Sequence, residues 1–313
     1  MLFTTFTDQG SREYNEDSLA METYDGSACF VIADGLGGHG GGDVASKTAV
    51  SVVCKLFRSE GYSDSFFEKA FKAAQEAILA EQEKANNHNG MKTTLVIMVV
   101  SGSYAYYAHV GDSRLYVLRN GKIAERTYDH SVPQMLVRSK QIKESEIRHH
   151  PDRSKLLRVL GDKDETPKCD VSKPLKLRGN LSFLLCTDGY WELIEDKDIE
   201  KINKKAEDTD EWMETMSELV RNNGEGTNMD NYSAITIWID DGDISIESPE
   251  VEEERLFKVQ YEKPGVWNSR KRRKKDKDGT HEIEIENSSE NQLPNGIGKR
   301  RTVMLKKDND DIK

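Results

Sequence analysis

Six of the eight residues that follow Asp34 are glycines: Gly35-Leu36-Gly37-Gly38-His39-Gly40-Gly41-Gly42. Immediately before them, Phe30-Val31-Ile32-Ala33 reads as a buried strand that delivers Asp34 at its end. A helix is expected to begin near Asp43, with Val44, Ala45, Thr48, Val52 and Leu56 on its apolar face. Any fold of this chain must therefore fit a sharp, Cβ-poor turn between a buried strand and a helix. Glycines at that density let the backbone approach a bound group closely. A carboxylate beside bare carbonyls suits a hard cation such as Mg²⁺ or Mn²⁺. The competing reading is a plain strand–turn–helix connection, in which Asp-Gly is ordinary turn chemistry.

The same signature recurs twice. Leu181 to Cys186 is an apolar strand that runs into Thr187-Asp188-Gly189, and Met229-Asp230-Asn231 opens a last strand, Tyr232 to Asp240. Neighbouring strands would bring Asp34, Asp188 and Asp230 together although they lie far apart in sequence. Asp17, in Arg12-Glu13-Tyr14-Asn15-Glu16-Asp17, and Asp112, in Gly111-Asp112-Ser113-Arg114, lie in polar turns. Such a cluster repels itself unless cations neutralise it. Two hard metal ions roughly 3.5–4 Å apart would do so and would hold a hydroxide for in-line attack on phosphorus. Arg12 adds the forked donor that suits a phosphate.

Between these segments the periodicity alternates between strands and helices. Phe67, Ala70, Phe71, Ala74, Ala77 and Ile78 form the stripe of a second helix capped near Asp64 or Ser65, and that stripe reads as core packing. Two hairpin signals follow, Gly102-Ser103 and Asn120-Gly121. Short helices are expected at Val132 to Ser139 and Glu144 to His149, and longer ones at Asp196 to Lys205 and Thr209 to Asn222. The pair His149-His150 reads as a solvated surface pair, with no other ligand type at metal-binding spacing. Hairpins with helices grouped apart imply an α+β layered fold, not a doubly wound sheet.

At this point the ordered motifs carry a resemblance. Thr7-Asp8-Gln9-Gly10-Ser11-Arg12-Glu13-Tyr14-Asn15-Glu16-Asp17, Ala33-Asp34-Gly35-Leu36-Gly37-Gly38-His39, Gly111-Asp112-Ser113-Arg114, Thr187-Asp188-Gly189 and Asp230-Asn231 resemble the motifs of the metal-dependent type-2C serine/threonine protein phosphatases, the PPM family, in its bacterial branch. The resemblance covers about residues 1 to 240. It implies an αββα sandwich, two antiparallel sheets flanked by helices, with a dinuclear Mn²⁺ or Mg²⁺ site at one end. By similarity, Asp34 bridges the two ions, the Gly35 carbonyl binds one, and Asp188 and Asp230 hold the other. Glu16 and Asp17 support the site directly or through water. Asp112 with Asp188 resembles a weaker third metal site, and Arg12 would bind the substrate phosphate. His39 is expected as a leaving-group acid or as a residue that orients the glycine-rich loop. Residues 130 to 160 would form a flap beside the active site. Substrates would be phosphoserine and phosphothreonine proteins, and a cognate Ser/Thr kinase is the expected partner. The alternative is a catalytically silent relative that only binds partners.

Composition separates the chain into two regions. The whole carries 45 Lys+Arg against 56 Asp+Glu, a net charge of −11, which argues against nucleic-acid binding by the body of the protein. From Val251 onward, 16 basic residues outnumber 13 acidic ones, and the basic run of residues 270 to 277 sits in polar, aperiodic sequence. A catalytic domain over 1 to 240 and a flexible charged tail over 241 to 313 follow from this change. Apolar runs such as Leu95 to Val100 are far shorter than a membrane span, and no signal segment opens the chain. Cys29, Cys54, Cys169 and Cys186 show no paired spacing and no thiol-phosphatase loop, so covalent catalysis is not expected. A cytoplasmic, monomeric enzyme is the resulting expectation.

Overall fold

The computed structural model describes residues 1–37, 41–87, 90–163 and 168–240, and the backbone of 301–302. Strands alternate in apolar residues that are buried on both faces. In β3 (Ser27–Leu36), Phe30 and Ile32 face one core, while Cys29, Val31 and Ala33 face another. The same division holds in β5 (Leu95–Ser101), with Val96, Met98 and Val100 opposite Leu95, Ile97 and Val99. A strand sandwiched between two cores must read as a continuous apolar run, because successive side chains point to opposite faces.

One sheet has the order β2 (Asp17–Tyr24), β3, β5, β6 (Tyr104–Val110) and β10 (Leu175–Lys176). Two short strands lie off that path: β4 (Lys92–Thr93) pairs with β3, and β9 (Asp170–Val171) pairs with β6. The other sheet runs β8 (Lys122–Arg126), β7 (Arg114–Arg119), β11 (Leu181–Cys186), β12 (Tyr232–Ile239), β1 (Leu2–Asp8) and β13 (Arg301–Thr302). Every pairing is antiparallel. The sheets pack face to face through Phe3, Phe30, Ile32, Leu115, Val117, Phe183, Leu185, Ile235 and Ile237.

Helices cover the two outer faces. Helices α1 (Gly42–Glu60) and α2 (Phe66–Ala85) lay Ala45, Ala49, Val53, Phe57, Phe71 and Ile78 on the β3–β5 side. Against the other sheet, α5 (Asp196–Lys205) and α6 (Thr209–Gly224) bring Ile199, Trp212, Met213, Met216 and Val220 onto Tyr116, Leu118, Leu184 and Ala234. A short α3 (Val132–Arg138), a 3₁₀ helix (Glu144–His149) and α4 (Asp188–Trp191) complete the described elements. The layers are those of the expected αββα sandwich.

Three details differ from the sequence reading. Residues 17 to 24 form a full strand, β2, whose mixed side chains show no clean alternation. Strand β3 runs past Asp34 to Leu36 because Gly35 and Leu36 pair with Thr93 and Lys92. Asp188 lies in the first turn of a helix, where only a turn was expected. Ser65 does stand at the start of α2, but its side chain makes no capping bond.

Candidate active site

The sheet registers place the acidic residues. Asp17 and Asp34 are direct partners across β2 and β3. Both continue the rows that face the inter-sheet layer, Asp34 after Phe30 and Ile32 and Asp17 before Leu19 and Met21. From the opposite sheet come Thr187, beyond Leu185, and Ser233, before Ile235. Thr187 Oγ1 donates to Asp17 Oδ2 at 2.9 Å, and Ser233 N donates to Thr187 Oγ1 at 3.0 Å. The apolar layer between the sheets thus ends in a polar patch that joins them.

Asp34 is held from β4 and its neighbour. Its backbone N donates to Thr94 Oγ1 at 2.9 Å, and its carbonyl accepts from Thr94 N at 2.9 Å and Thr93 Oγ1 at 2.8 Å. Gly35 is required by crowding, since a Cβ there would stand 2.2 Å from the Gly42 carbonyl oxygen and 2.6 Å from that of Glu16. Glu16 points its carboxylate at the start of α1, accepting from Gly42 N at 3.2 Å, where the helix dipole favours negative charge. Asn231 pins the preceding loop: its Nδ2 donates to the carbonyls of Gln9 (2.8 Å) and Tyr14 (2.9 Å), and its Oδ1 accepts from Glu16 N at 2.8 Å. Arg12, at the tip of that loop and half exposed, donates from Nη2 to Asp230 Oδ2 at 2.7 Å.

The carboxyl groups of Asp34 and Asp188 lie close enough to act directly on one another. Burial, with repulsion from neighbouring carboxylates, holds Asp34 and Asp112 well above the usual carboxylate range. Burial likewise pushes Asp17 up to about 8, against the hydrogen bonds it accepts, and Asp188 up to about 7, with repulsion from Asp230 and Glu192 adding to it. Two carboxyls this close must share a proton or a cation. An all-oxygen donor set of this kind fits hard divalent ions such as Mg²⁺ and Mn²⁺.

The structure brings Asp17, Asp34, Asp112 and Asp188 into one electrostatic cluster, in which Asp230 acts on Asp17 and Asp188. His39 and the tail residues 241–300 and 303–313 lie outside the described residues. Sequence reasoning missed Thr94 and Ser233, whose only signal is a hydroxyl residue beside an apolar strand, and it quoted Thr187 in the motif before Asp188 without giving it a role. It also missed the buried Arg114–Asp129 pair, bidentate at 2.8 and 2.7 Å.

A second set of potential metal donors lies on the far side of Gly111. One atom each from His109, His130 and Asp170 falls within 4.8 Å of the other two. Yet His130 Nδ1 accepts from Gly111 N at 3.2 Å, which leaves the proton on Nε2, 3.3 Å from Asp170. His109 Nε2 donates to the Tyr128 carbonyl at 2.8 Å. His109 and His130 stack on one another and brace the Gly111 turn through these backbone bonds, with Asp170 facing His130 Nε2.

The chain's similarity to known proteins agrees with this geometry. A family model described as protein phosphatase 2C matches residues 9–232. The serine/threonine phosphatase Stp of Listeria monocytogenes is 32% identical over 206 residues, 63% of this chain and 81% of the relative. PhpP of Streptococcus pneumoniae, a protein phosphatase, is 26% identical over 251 residues, 78% of this chain and 99% of its own. The crystal structure of the Mycobacterium tuberculosis serine/threonine phosphatase PstP/Ppp superposes with a TM-score of 0.66 at 29% identity, covering 75% of this chain and 98% of that one. The PstP catalytic domain in complex with two manganese ions gives a TM-score of 0.63 at 27% identity, covering 76% and 98%.

Proposed function

Because the chain belongs to the protein phosphatase 2C family, we propose that its aspartate cluster is the metal centre of a protein-serine/threonine phosphatase and that Arg12 receives the substrate phosphate. The observation that carries this reading is the gathering of Asp17, Asp34 and Asp188, through the β2–β3 register and the Thr187 bond between the sheets, into one largely buried cluster of like charge.

Asp34, the Gly35 carbonyl, Asp188 and Asp230 would hold two ions, Mn²⁺ or Mg²⁺, with Glu16 and Asp17 supporting them. Asp112 with Asp188 would hold a weaker third. When bound, such ions supply Lewis acidity, lowering the pKa of water and offsetting charge on the phosphate oxygens. The chain's own residues do the rest. Thr93, Thr94 and Thr187 hold the Asp34 backbone and the Asp17 carboxylate in place, and Asn231 fixes the loop that aims Arg12. The Arg12 fork matches two phosphate oxygens, and its present partner Asp230 is itself a proposed ligand, so the side chain is free to turn to substrate once Asp230 is engaged. His39 is the proposed leaving-group acid, and a His39→Asn variant with unchanged turnover across pH would remove it from the mechanism.

The proposed physiology follows the same reading: phosphoserine and phosphothreonine proteins as substrates, a cognate Ser/Thr kinase, and a monomer in the cytoplasm. Buried free Cys29, Cys54 and Cys186 support a reducing compartment, and no helix among the described residues is long and apolar enough to cross a membrane. Residues 1–240 are the proposed catalytic domain and 241–313 the charged tail.

The test is hydrolysis of a phosphothreonine peptide with Mn²⁺, with Mg²⁺ and with excess EDTA. Activity should need metal and fall by roughly 10³-fold or more in Asp34→Asn and in Asp188→Asn. Folded wild-type protein without metal-dependent turnover would overturn the assignment.

A further inference from the structure

One buried side chain connects the two carboxylates of the proposed weak cation site to a surface segment 40 residues away in sequence. Trp191 ends α4, the same short helix that Asp188 begins, and it is 1% exposed. Its indole Nε1–H donates to the Asp112 carbonyl at 2.9 Å. Asp112 itself is buried, in a turn braced from the other side by Gly111, whose carbonyl accepts from His130 N at 2.9 Å. The indole therefore spans the distance between the residue carrying one carboxylate and the helix carrying the other.

Two arginines hold that indole. The Arg114 guanidinium carbon lies 3.3 Å from the centre of the Trp191 ring, and Arg114 is itself locked by Asp129 and by Tyr116 Oη at 3.1 Å. Stacking on a guanidinium fixes the plane of the ring and so the direction of its N–H. Arg148, in the 3₁₀ helix, donates from Nη1 to the Trp191 carbonyl and from Nη2 to Asp196 at 3.0 Å. Its guanidinium carbon is 5.6 Å from the indole. Close by, Arg153 donates to Glu192, the residue after Trp191, at 2.8 Å. The surface segment 144–153 thus grips the C-terminal end of α4, while the indole grips the Asp112 turn.

We infer that Trp191 is a positioning residue that sets the spacing of Asp112 and Asp188, and that Arg148 links cation binding at that pair to the placement of segment 144–153. The inference rests on the metal-centre reading above and adds to it the residues that tune one of its sites. Linkage is reciprocal: if the placed segment tightens the site, an occupied site holds the segment in place. Neither residue offers a ligand atom, so both act through geometry.

The test is Mn²⁺ binding to the full chain without substrate, followed by calorimetry and by the electron paramagnetic resonance of free Mn²⁺. Trp191→Phe keeps an aromatic ring beside Arg114 but deletes the N–H together with one ring of the indole, so its effect on Mn²⁺ binding is read against a core-truncation control. It should weaken the weakest Mn²⁺ step by roughly tenfold, the size of one lost buried hydrogen bond, and leave the tighter steps within about twofold. Arg148→Met should weaken the same step, and the double variant should show less than the sum of the two effects in free energy. Val53→Ala, a core change beneath α1 on the other outer face, is the control for general loosening and should lower stability without moving that step. Selective weakening in both variants supports the inference. Wild-type affinity in both, or equal weakening of all steps, overturns it. If the wild-type protein binds no Mn²⁺, or Asp34→Asn and Asp188→Asn bind it normally, the metal-centre reading fails instead.

Discussion

At the scale of single residues, the site is built on buried charge that is tolerated only because each group has a partner. Arg114 and Asp129 are both nearly inaccessible and paired in the two-pronged geometry that such burial demands. Arg114→Met leaves Asp129 buried and uncompensated, and should lower stability by about 3–5 kcal/mol in chemical denaturation. Replacing both with apolar residues of similar volume should recover most of that loss. The stacked pair His109 and His130 gives a pH signature. Burial lowers both, and His130 falls from 6.5 to about 4, with His109 adding to the shift and Asp170 opposing it. Between those values the unfolded chain binds the proton that the folded chain refuses. The His130 contribution to stability should therefore fall as pH drops from about 6.5 toward 4, by about 1–3 kcal/mol, opposite in sign to the contributions of Asp17 and Asp188, whose raised carboxyls bind protons more readily in the folded chain. His130→Gln should flatten this limb in denaturation curves taken across that range. An unchanged slope would show that other groups dominate it.

At the scale of elements, strand alternation explains more than helix propensity does. The central strand β3 faces two cores, so its register cannot slip by one residue without moving Asp34 from the inter-sheet layer to the helix side, and the edge strand β2 holds Asp17 opposite it. Helix ends matter more locally. Helix α6 is capped by Asp208, whose carboxylate accepts from the backbone N of Asp210 and of Glu211, each at 3.0 Å. Asp208→Ala should cost about 1 kcal/mol in thermal or chemical unfolding. Phosphatase activity at 25 °C should be unaffected, because α6 packs behind the sheet and away from the aspartate cluster. A large activity loss would mean that α6 couples to the site through Tyr190, whose Oη lies 2.9 Å from Ser217.

At the scale of the whole molecule, a sandwich with helices outside lets polar groups from both sheets meet where the apolar inter-sheet layer stops, as Asp17 and Thr187 do. The described core is complete within residues 1–240, so a chain ending at Asp240 should fold and keep its metal-dependent turnover within about twofold of the full chain. Circular dichroism and the phosphopeptide assay check this, and loss of folding would place the domain boundary beyond 241. That chain also lacks Arg301–Thr302, which pairs with Leu2 and Phe3 and makes β1 an interior strand. Much of this was legible in the sequence. The apolar runs, the Asn120-Gly121 hairpin and the amphipathic helices carry their periods locally, and Asp34, Asp188 and Asp230 were recognisable because each follows or precedes such a run. Asp17 shows the limit, since its strand has no clean alternation and its pairing opposite Asp34 is a long-range register. What the sequence alone determined is which side chains are available and which face of each element is apolar, because both depend on neighbours within a few residues. What only the tertiary structure decided is who meets whom. Thr187 on Asp17, Asn231 across the Arg12 loop and Trp191 on the Asp112 carbonyl are hydrogen bonds between distant segments, and they exist only once two sheets have packed and closed off water.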